Sequence, residues 1–163
     1  MLLTLILSLV MMAGLFLMLL SGVGFIQDRR FFTSAPKEVQ AAVKEKEERF
    51  AGQHLTGWIM AVLSIALMAG AIFQGGWDGI RNGFTFPQFF GRFAVMLLLL
   101  KAFDILVFDW FLLCRSGFFP HFYPEFRPYL GPHLFGYNRK SHLLQTALLL
   151  AGSALLAWIC TLL

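Results

Sequence analysis

Four long apolar runs alternate with polar connections along the chain. They cover about residues 2–26, 54–73, 89–114 and 141–163, and each reaches the roughly 20 residues that a helix needs to cross the hydrocarbon layer of a membrane. The pattern predicts an all-α protein, an integral membrane four-helix bundle formed by a single domain over residues 1–163. The first run lacks the positive start and the short apolar core of a cleaved signal, so we expect it to remain as the first span.

The first connection, residues 27–53, contains the segment APKEVQAAVKEKEERFAGQ. This segment predicts an amphipathic helix over about 36–52, because its proline suits a first turn and Lys44/Glu48 and Glu45/Arg49 stand at i,i+4 spacing. Only a glycine separates it from the second span. We therefore expect one continuous helix that extends the second span beyond the membrane.

The other two connections have different signals. Residues 74–88 are rich in glycine and predict a turn. Residues 115–140 repeat a proline at every fourth position in PHFYPEFRPYLGPHLF, a spacing that an ordinary helix does not tolerate. Tyrosines and phenylalanines crowd the same segment, and such rings gather at membrane interfaces. We expect an extended aromatic strap over residues 115–140, lying at the interface.

Composition and charge support a membrane protein with a defined orientation. Apolar residues make up 58% of 163, charged residues 13%, and the mean hydropathy is +0.72. The three connections hold six, one and four lysines and arginines, respectively. The positive-inside rule then places residues 27–53 and 115–140 in the cytoplasm and both termini outside, in a membrane that we expect to be a bacterial inner membrane. The chain has no continuous basic face, so nucleic acid is not an expected partner.

The third apolar run carries three charges in its interior, Lys101, Asp104 and Asp109. A charge at the bilayer centre costs about 2.5–3.5 kcal/mol even on lenient scales, so such residues face protein or water and often mark function. On a wheel of about 100° per residue all three lie on one side, with Lys101 and Asp104 at i,i+3 spacing. They predict a proton or ion site, or else a structural pair with Asp109 near a helix end. Arg92 falls opposite and is expected to reach the headgroups.

A second group of polar residues lies on or beside the strap. Its arginines, histidines and carboxylate could hold an anionic headgroup or perform acid–base chemistry, while composition alone also explains them as a positively charged interfacial loop. The candidates for binding an interfacial ligand or headgroup are His121, Glu125, Arg127, His133, Arg139 and His142.

No cofactor follows from the motifs. His54 and His142 begin two spans and could face each other across a haem, but no C-x-x-C-H motif supports that interpretation. The spacings of cysteine and histidine match no zinc pattern, and we predict no metal. Nucleophile and nucleotide-binding signatures are also absent from the sequence.

The sequence leaves three functions open. The charges of the third span favour a transporter or channel-like protein. One alternative is a membrane enzyme or lipid-binding protein with its site under the strap. The other is an accessory subunit of a membrane complex. Because the polar side of the third span needs burial, we expect a homo-oligomer or a membrane partner subunit. In size and topology the chain resembles the small four-span membrane enzymes of eicosanoid and glutathione metabolism, although ERFAGQHLTGW does not match their arginine- and asparagine-bearing pattern.

Overall fold

The computed structural model describes residues 1–28, 37–44 and 46–163, and this part of the chain contains helices and turns but no strand. The α-helices are α1 (Leu2–Leu20), α2 (Lys37–Ala42), α3 (Gln53–Arg81), α4 (Phe86–Phe103), α5 (Phe118–Phe122) and α6 (Arg139–Leu162). Two of them continue as π-helices: α1 over Ser21–Ile26 and α4 over Asp104–Leu113. Two 3₁₀ turns cover Pro124–Phe126 and Pro132–Leu134. The prediction of an all-helical protein is confirmed.

Three of the helices are long and apolar enough to cross a membrane. They are α1 with its π-helical end, α3 and α6, and they coincide with the first, second and fourth predicted spans. Only 11% of the most apolar stretch of α6 is buried. The large side chains of Leu63 in α3 and Leu148 in α6 are more than half exposed. A soluble monomer rarely exposes such continuous apolar surface, so the helices are consistent with a membrane location. α4 and its continuation are not among the three.

The turn predicted over residues 74–88 is much shorter in the structure. α3 runs on to Arg81 and ends in a Schellman motif, with Gly83 at φ 63° and the Phe84 amide donating to the Gly79 carbonyl at 3.0 Å. α4 then begins after Thr85, whose amide donates to Gln88 Oε1 at 2.8 Å. The glycines before Arg81 are therefore helical, and they leave room for the aromatic rings of α4.

The chain divides into two compact units. The first comprises Met1–Gly14, Ala66–Asp104 and Asn138–Leu163, and in it α4 packs along α6. The ring of Phe89 lies against Gly79, where an added Cβ would stand 2.3 Å from Cε1, and Phe93 lies near Gly76. Phe89 and Phe93 are each 1% exposed, so these aromatic–glycine contacts form part of the core of this unit.

The second unit comprises Leu15–Ile65 and Ile105–Tyr137. Its core brings together Val23, Val39, Tyr123 and Phe126, with the last two rings stacked at 4.8 Å between centroids. The strap is thus folded onto the π-helical end of α1 and onto α2, and its rings fill the space beneath it.

The expectation of an extended strap is wrong. Within residues 115–140 the chain forms α5 and two 3₁₀ turns. Pro124 and Pro132 each open a 3₁₀ turn, and Pro120 lies in the first turn of α5. A proline is tolerated in a first turn because its missing N–H has no intrahelical acceptor there. The prolines therefore divide the segment into single helical turns.

The predicted helix over 36–52 is also wrong in length. Its helical part is α2, and residues 43–44 and 46–50 are not helical, so no continuous helix extends α3. Pro36 and Glu45 lie outside the described residues. Side chains from this stretch reach elsewhere: Glu48 accepts from the amides of Gly52 and His54 at 3.3 and 3.0 Å, which caps the start of α3. Lys46 and Arg49 of the same stretch donate to the Phe122 and Gly24 carbonyls, and these tertiary contacts outweigh the few tenths of a kcal/mol, roughly, that i,i+4 pairs would add.

Candidate functional site

The predicted charge pair on α4 is present in the first unit. Lys101 Nζ donates to Asp104 Oδ2 at 2.6 Å and to Gln145 Oε1 of α6 at 2.5 Å. The Lys101 side chain is 8% exposed and that of Asp104 is 29% exposed. The ammonium is therefore enclosed between α4 and α6 with two oxygen acceptors, while the carboxylate remains partly accessible.

Gln145 is the member of this group that the sequence analysis missed. It stands alone as an amide within the fourth apolar run, and a polar residue in a span commonly hydrogen-bonds to a neighbouring helix. Because Gln145 is uncharged, a pattern of opposite charges among the spans does not indicate it. Gln145 Nε2 also donates to Ser141 Oγ at 3.4 Å, a long contact one turn earlier in α6.

Asp109 belongs to the second unit, whereas Lys101 and Asp104 belong to the first. The expectation that all three share one side assumed an α-helical wheel. From Asp104 onward the backbone is π-helical, with i→i+5 bonding that widens the helix, so the wheel does not apply there. That Lys101, Asp104 and Asp109 form one site stays a prediction.

The six candidate residues of the strap are divided between the two units, and their common site stays a prediction. Of the four in the second unit, His121, Arg127 and His133 are exposed. Glu125 forms an ion pair with Lys46 at 3.6 Å. The other two residues, Arg139 and His142, lie in the first turn of α6 and belong to the first unit.

Lys46 connects the strap to the loop before α3. Its ammonium lies 4.2 Å from the centroid of the Tyr123 ring and donates to the Phe122 carbonyl. Tyr123 is completely buried, and burial together with the nearby Glu125 carboxylate raises the pKa of its hydroxyl above the usual range. The ion pair, the ring contact and the hydrogen bond of Lys46 thus hold the strap to this loop.

Two further side chains bind the end of the π-helix of the second unit. Arg49 Nη2 donates to the Gly24 carbonyl at 2.5 Å, and Gln53 Nε2 donates to the Phe25 carbonyl at 2.8 Å. The last carbonyls of a helix have no intrahelical donor, so both bonds satisfy groups that would otherwise be orphaned. We assign these residues a structural role that the sequence analysis did not anticipate.

Arg92 does not reach toward headgroups, and that expectation is wrong. Its side chain is 7% exposed, and Nη1 donates to the Gly75 carbonyl at 2.7 Å and to Asp78 Oδ2 at 2.8 Å. The guanidinium also lies over the Phe84 ring at 4.3 Å. The Asp78 carboxylate of α3 thus pairs with the guanidinium and keeps it inside the protein. Its Nε is buried without a hydrogen-bond partner, which costs on the order of 1–3 kcal/mol.

The two histidines considered for haem lie in different units, and their facing arrangement is not tested by the contacts of either one. His54 Nδ1 lies 3.2 Å from the Glu48 carboxylate in the second unit, and His142 belongs to the first. Across residues 1–28, 37–44 and 46–163, no three His, Cys, Asp or Glu side chains converge in a way that could hold a metal ion.

Comparison with models of known protein families, with curated proteins and with solved structures finds no match. The chemistry of the residues is therefore the basis for any functional assignment.

Proposed function

We propose that the protein is a four-span integral membrane protein that transports a proton or small cation, with Asp104 as the binding carboxylate. α4 and its π-helical continuation serve as the remaining span, and the lysine and arginine distribution orients both termini outward, in a bacterial inner membrane. Asp109, on the π-helical continuation, is proposed as a second binding carboxylate. Because this span carries charged residues within its apolar run, we also propose that the protein works as a homo-oligomer or with a partner subunit.

The observation that supports this proposal is the enclosure of Lys101. A lysine that is 8% exposed, on a mainly apolar helix, is costly to bury and is retained only where it has partners or a function. Its acceptors come from two different helices, so a change in one acceptor alters the contact between those helices. The helix also changes from α to π at Asp104, and such local departures are frequent at functional sites.

The chemistry follows from the unequal exposure of the pair. Asp104 is the accessible partner, so a proton or cation reaches its carboxylate first. Binding there neutralises Asp104 and removes the counter-charge of Lys101, which keeps Gln145 as its acceptor. The free energy of that lost attraction is larger inside the protein than in water, because the local dielectric is lower. Ion binding and the α4–α6 contact are thereby coupled.

The test uses purified protein in liposomes that contain a pH-sensitive dye, with proton flux driven by a valinomycin-clamped potassium gradient and a parallel assay for sodium. Asp104→Asn and Lys101→Met each remove one partner and are expected to abolish flux. Either change leaves an unpaired group, and breaking a buried pair can cost about 3–5 kcal/mol, so folding must be verified by size-exclusion chromatography.

The double variant Lys101→Met/Asp104→Asn provides the decisive comparison. It removes both charges together, a change that is often neutral for stability, so it is expected to fold yet remain inactive. Lys140→Met, at an exposed position in the first turn of α6, is the control for losing one positive charge and should transport normally. A folded double variant with unchanged flux would refute the proposal and leave the pair a structural role.

A further inference from the structure

Several oxygens around Lys101 already accept hydrogen bonds. Asp104 Oδ2 and Gln145 Oε1 both accept from the Lys101 ammonium, at 2.6 and 2.5 Å. Ser141 Oγ accepts from Gln145 Nε2, and the carbonyls of Leu100 and Lys101 accept from the Asp104 amide. Because the lysine bond uses Oδ2, an ion that binds the Asp104 carboxylate beside this pair binds Oδ1.

This set of ligands is too small for a metal cation. Calcium takes about six to eight oxygen ligands and magnesium a nearly octahedral set, while potassium channels replace the hydration shell of the ion with rings of carbonyls. Across residues 1–28, 37–44 and 46–163, no three His, Cys, Asp or Glu side chains converge in a way that could hold a metal ion. A single carboxylate oxygen beside an ammonium leaves a metal cation short of ligands and next to a like charge.

A proton requires only one lone pair. It passes from a hydronium ion to Asp104 Oδ1, where it forms one O–H bond, and the hydronium ion becomes water. The carboxylate loses its charge, and Lys101 keeps Gln145 Oε1 as an acceptor, so the ammonium is not left without a hydrogen bond. The Asp104 side chain is 29% exposed, which gives the proton access to the carboxylate.

We propose that the ion bound by Asp104 is a proton and not a metal cation. This inference rests on the proposed function, because it names the ion for the same carboxylate. It also makes a separate claim, since proton binding at Asp104 can be measured without transport.

Other charged groups lie on α6, the helix that packs along α4. The first turn of α6 carries Arg139, Lys140 and His142. Arginine and lysine keep their charge near neutral pH, whereas histidine changes its charge there. His142→Gln is therefore the control for proton binding at a neighbouring residue. On α4 itself, Arg92 is paired with Asp78.

Flux is measured on the full chain in liposomes. A pH-sensitive dye reports proton flux under the valinomycin clamp, and uptake of radioactive sodium and rubidium is measured without valinomycin, with rubidium in place of potassium. We expect the wild type and His142→Gln to conduct protons and Asp104→Asn to lose proton flux. Uptake of sodium and rubidium should equal that of protein-free liposomes for all three proteins.

Infrared difference spectroscopy measures proton binding on the same purified proteins. Lowering the pH should produce the band of a protonated carboxyl group in the wild type and in His142→Gln. This band should be missing from Asp104→Asn and from the double variant Lys101→Met/Asp104→Asn, which provides the comparison if the single variant is unstable. Adding sodium at constant pH should leave the band unchanged, because a metal cation does not compete for Oδ1.

The two measurements separate this inference from the proposed function. Sodium or rubidium uptake that depends on Asp104, or loss of the carboxyl band when sodium is added, would overturn the assignment of the proton and leave ion transport at Asp104 intact. A band without any flux that depends on Asp104 would support proton binding and refute transport. Absence of both would overturn both proposals. A pH response that His142→Gln removes and Asp104→Asn retains would overturn the assignment to Asp104.

Discussion

Replacing glycine by alanine should have opposite effects on stability at two positions of α3, Gly79 and Gly70. At Gly79 an added Cβ would lie 2.3 Å from Cε1 of Phe89 and 3.0 Å from Cδ1 and Cζ, far inside contact distance. At Gly70 nothing lies within 4 Å. Gly79→Ala should therefore destabilise the protein, and Gly70→Ala should stabilise it.

The magnitude follows from the surroundings of Phe89. Its ring is 1% exposed and is packed against Phe84 at 5.6 Å and Phe93 at 6.4 Å between centroids, so it has no free space to enter. Overpacking of this kind typically costs about 1–3 kcal/mol, and the severity of the clash places Gly79→Ala near 3. Both variants gain about 1 kcal/mol from replacing a helical glycine. The free energies of unfolding of the two variants should thus differ by about 3 kcal/mol, because the gain in helix propensity is the same in both.

The assay is unfolding of the purified protein by sodium dodecyl sulfate in mixed micelles, followed by circular dichroism. The Phe89→Leu background provides the internal check, because a smaller side chain relieves the clash and Gly79→Ala should then cost less. If Gly79→Ala stabilises the protein as much as Gly70→Ala does, the close approach of α3 and α4 is wrong. If the cost persists in the Phe89→Leu background, the clash is not with that ring.

Two further predictions concern the second unit. The raised pKa of the Tyr123 hydroxyl means that, above the usual tyrosine pKa of about 10, the unfolded chain loses a proton that the folded chain keeps, so stability should fall as the pH rises. Melting temperatures between pH 8 and pH 11 check this prediction against Tyr123→Phe, which should show a smaller decline; parallel curves would contradict it. Glu48→Ala should cost about 1 kcal/mol through loss of the cap on α3. Glu48→Gln is the control and should lose less in the same micellar unfolding assay, while an unchanged Glu48→Ala would show that solvent replaces the cap.

The apolar periodicity predicted the long helices well, because burial or lipid contact acts on every residue of a span. It failed where a few contacts decide the local structure. Gly79 was interpreted as a turn former, yet α3 continues through it, since its lack of a side chain admits the ring of Phe89. A glycine in a sequence does not reveal whether it relieves backbone strain or provides space for a neighbour.

The candidate site shows the same limit. Local spacing was sufficient to predict the pair of Lys101 and Asp104, since residues three apart on a helix are neighbours. Gln145 required knowledge of which helix packs against α4, and that follows from tertiary structure. The burial of Arg92 depended likewise on Asp78, from the helix before the turn. Long-range partners of buried charges were thus the part that the sequence alone did not provide.

The two buried cations of the first unit differ in a way that bears on function. Lys101 has both a carboxylate and an amide acceptor, and its pair can be removed as a unit without leaving an unpaired charge. Arg92 has a carboxylate and a carbonyl on one nitrogen and retains an unsatisfied donor. A paired group responds when one partner changes state, as ion binding at Asp104 would do. The unsatisfied Nε of Arg92 is closed to solvent and is a cost in stability, which is why we propose ion binding at the group of Lys101 and Asp104 and not at Arg92.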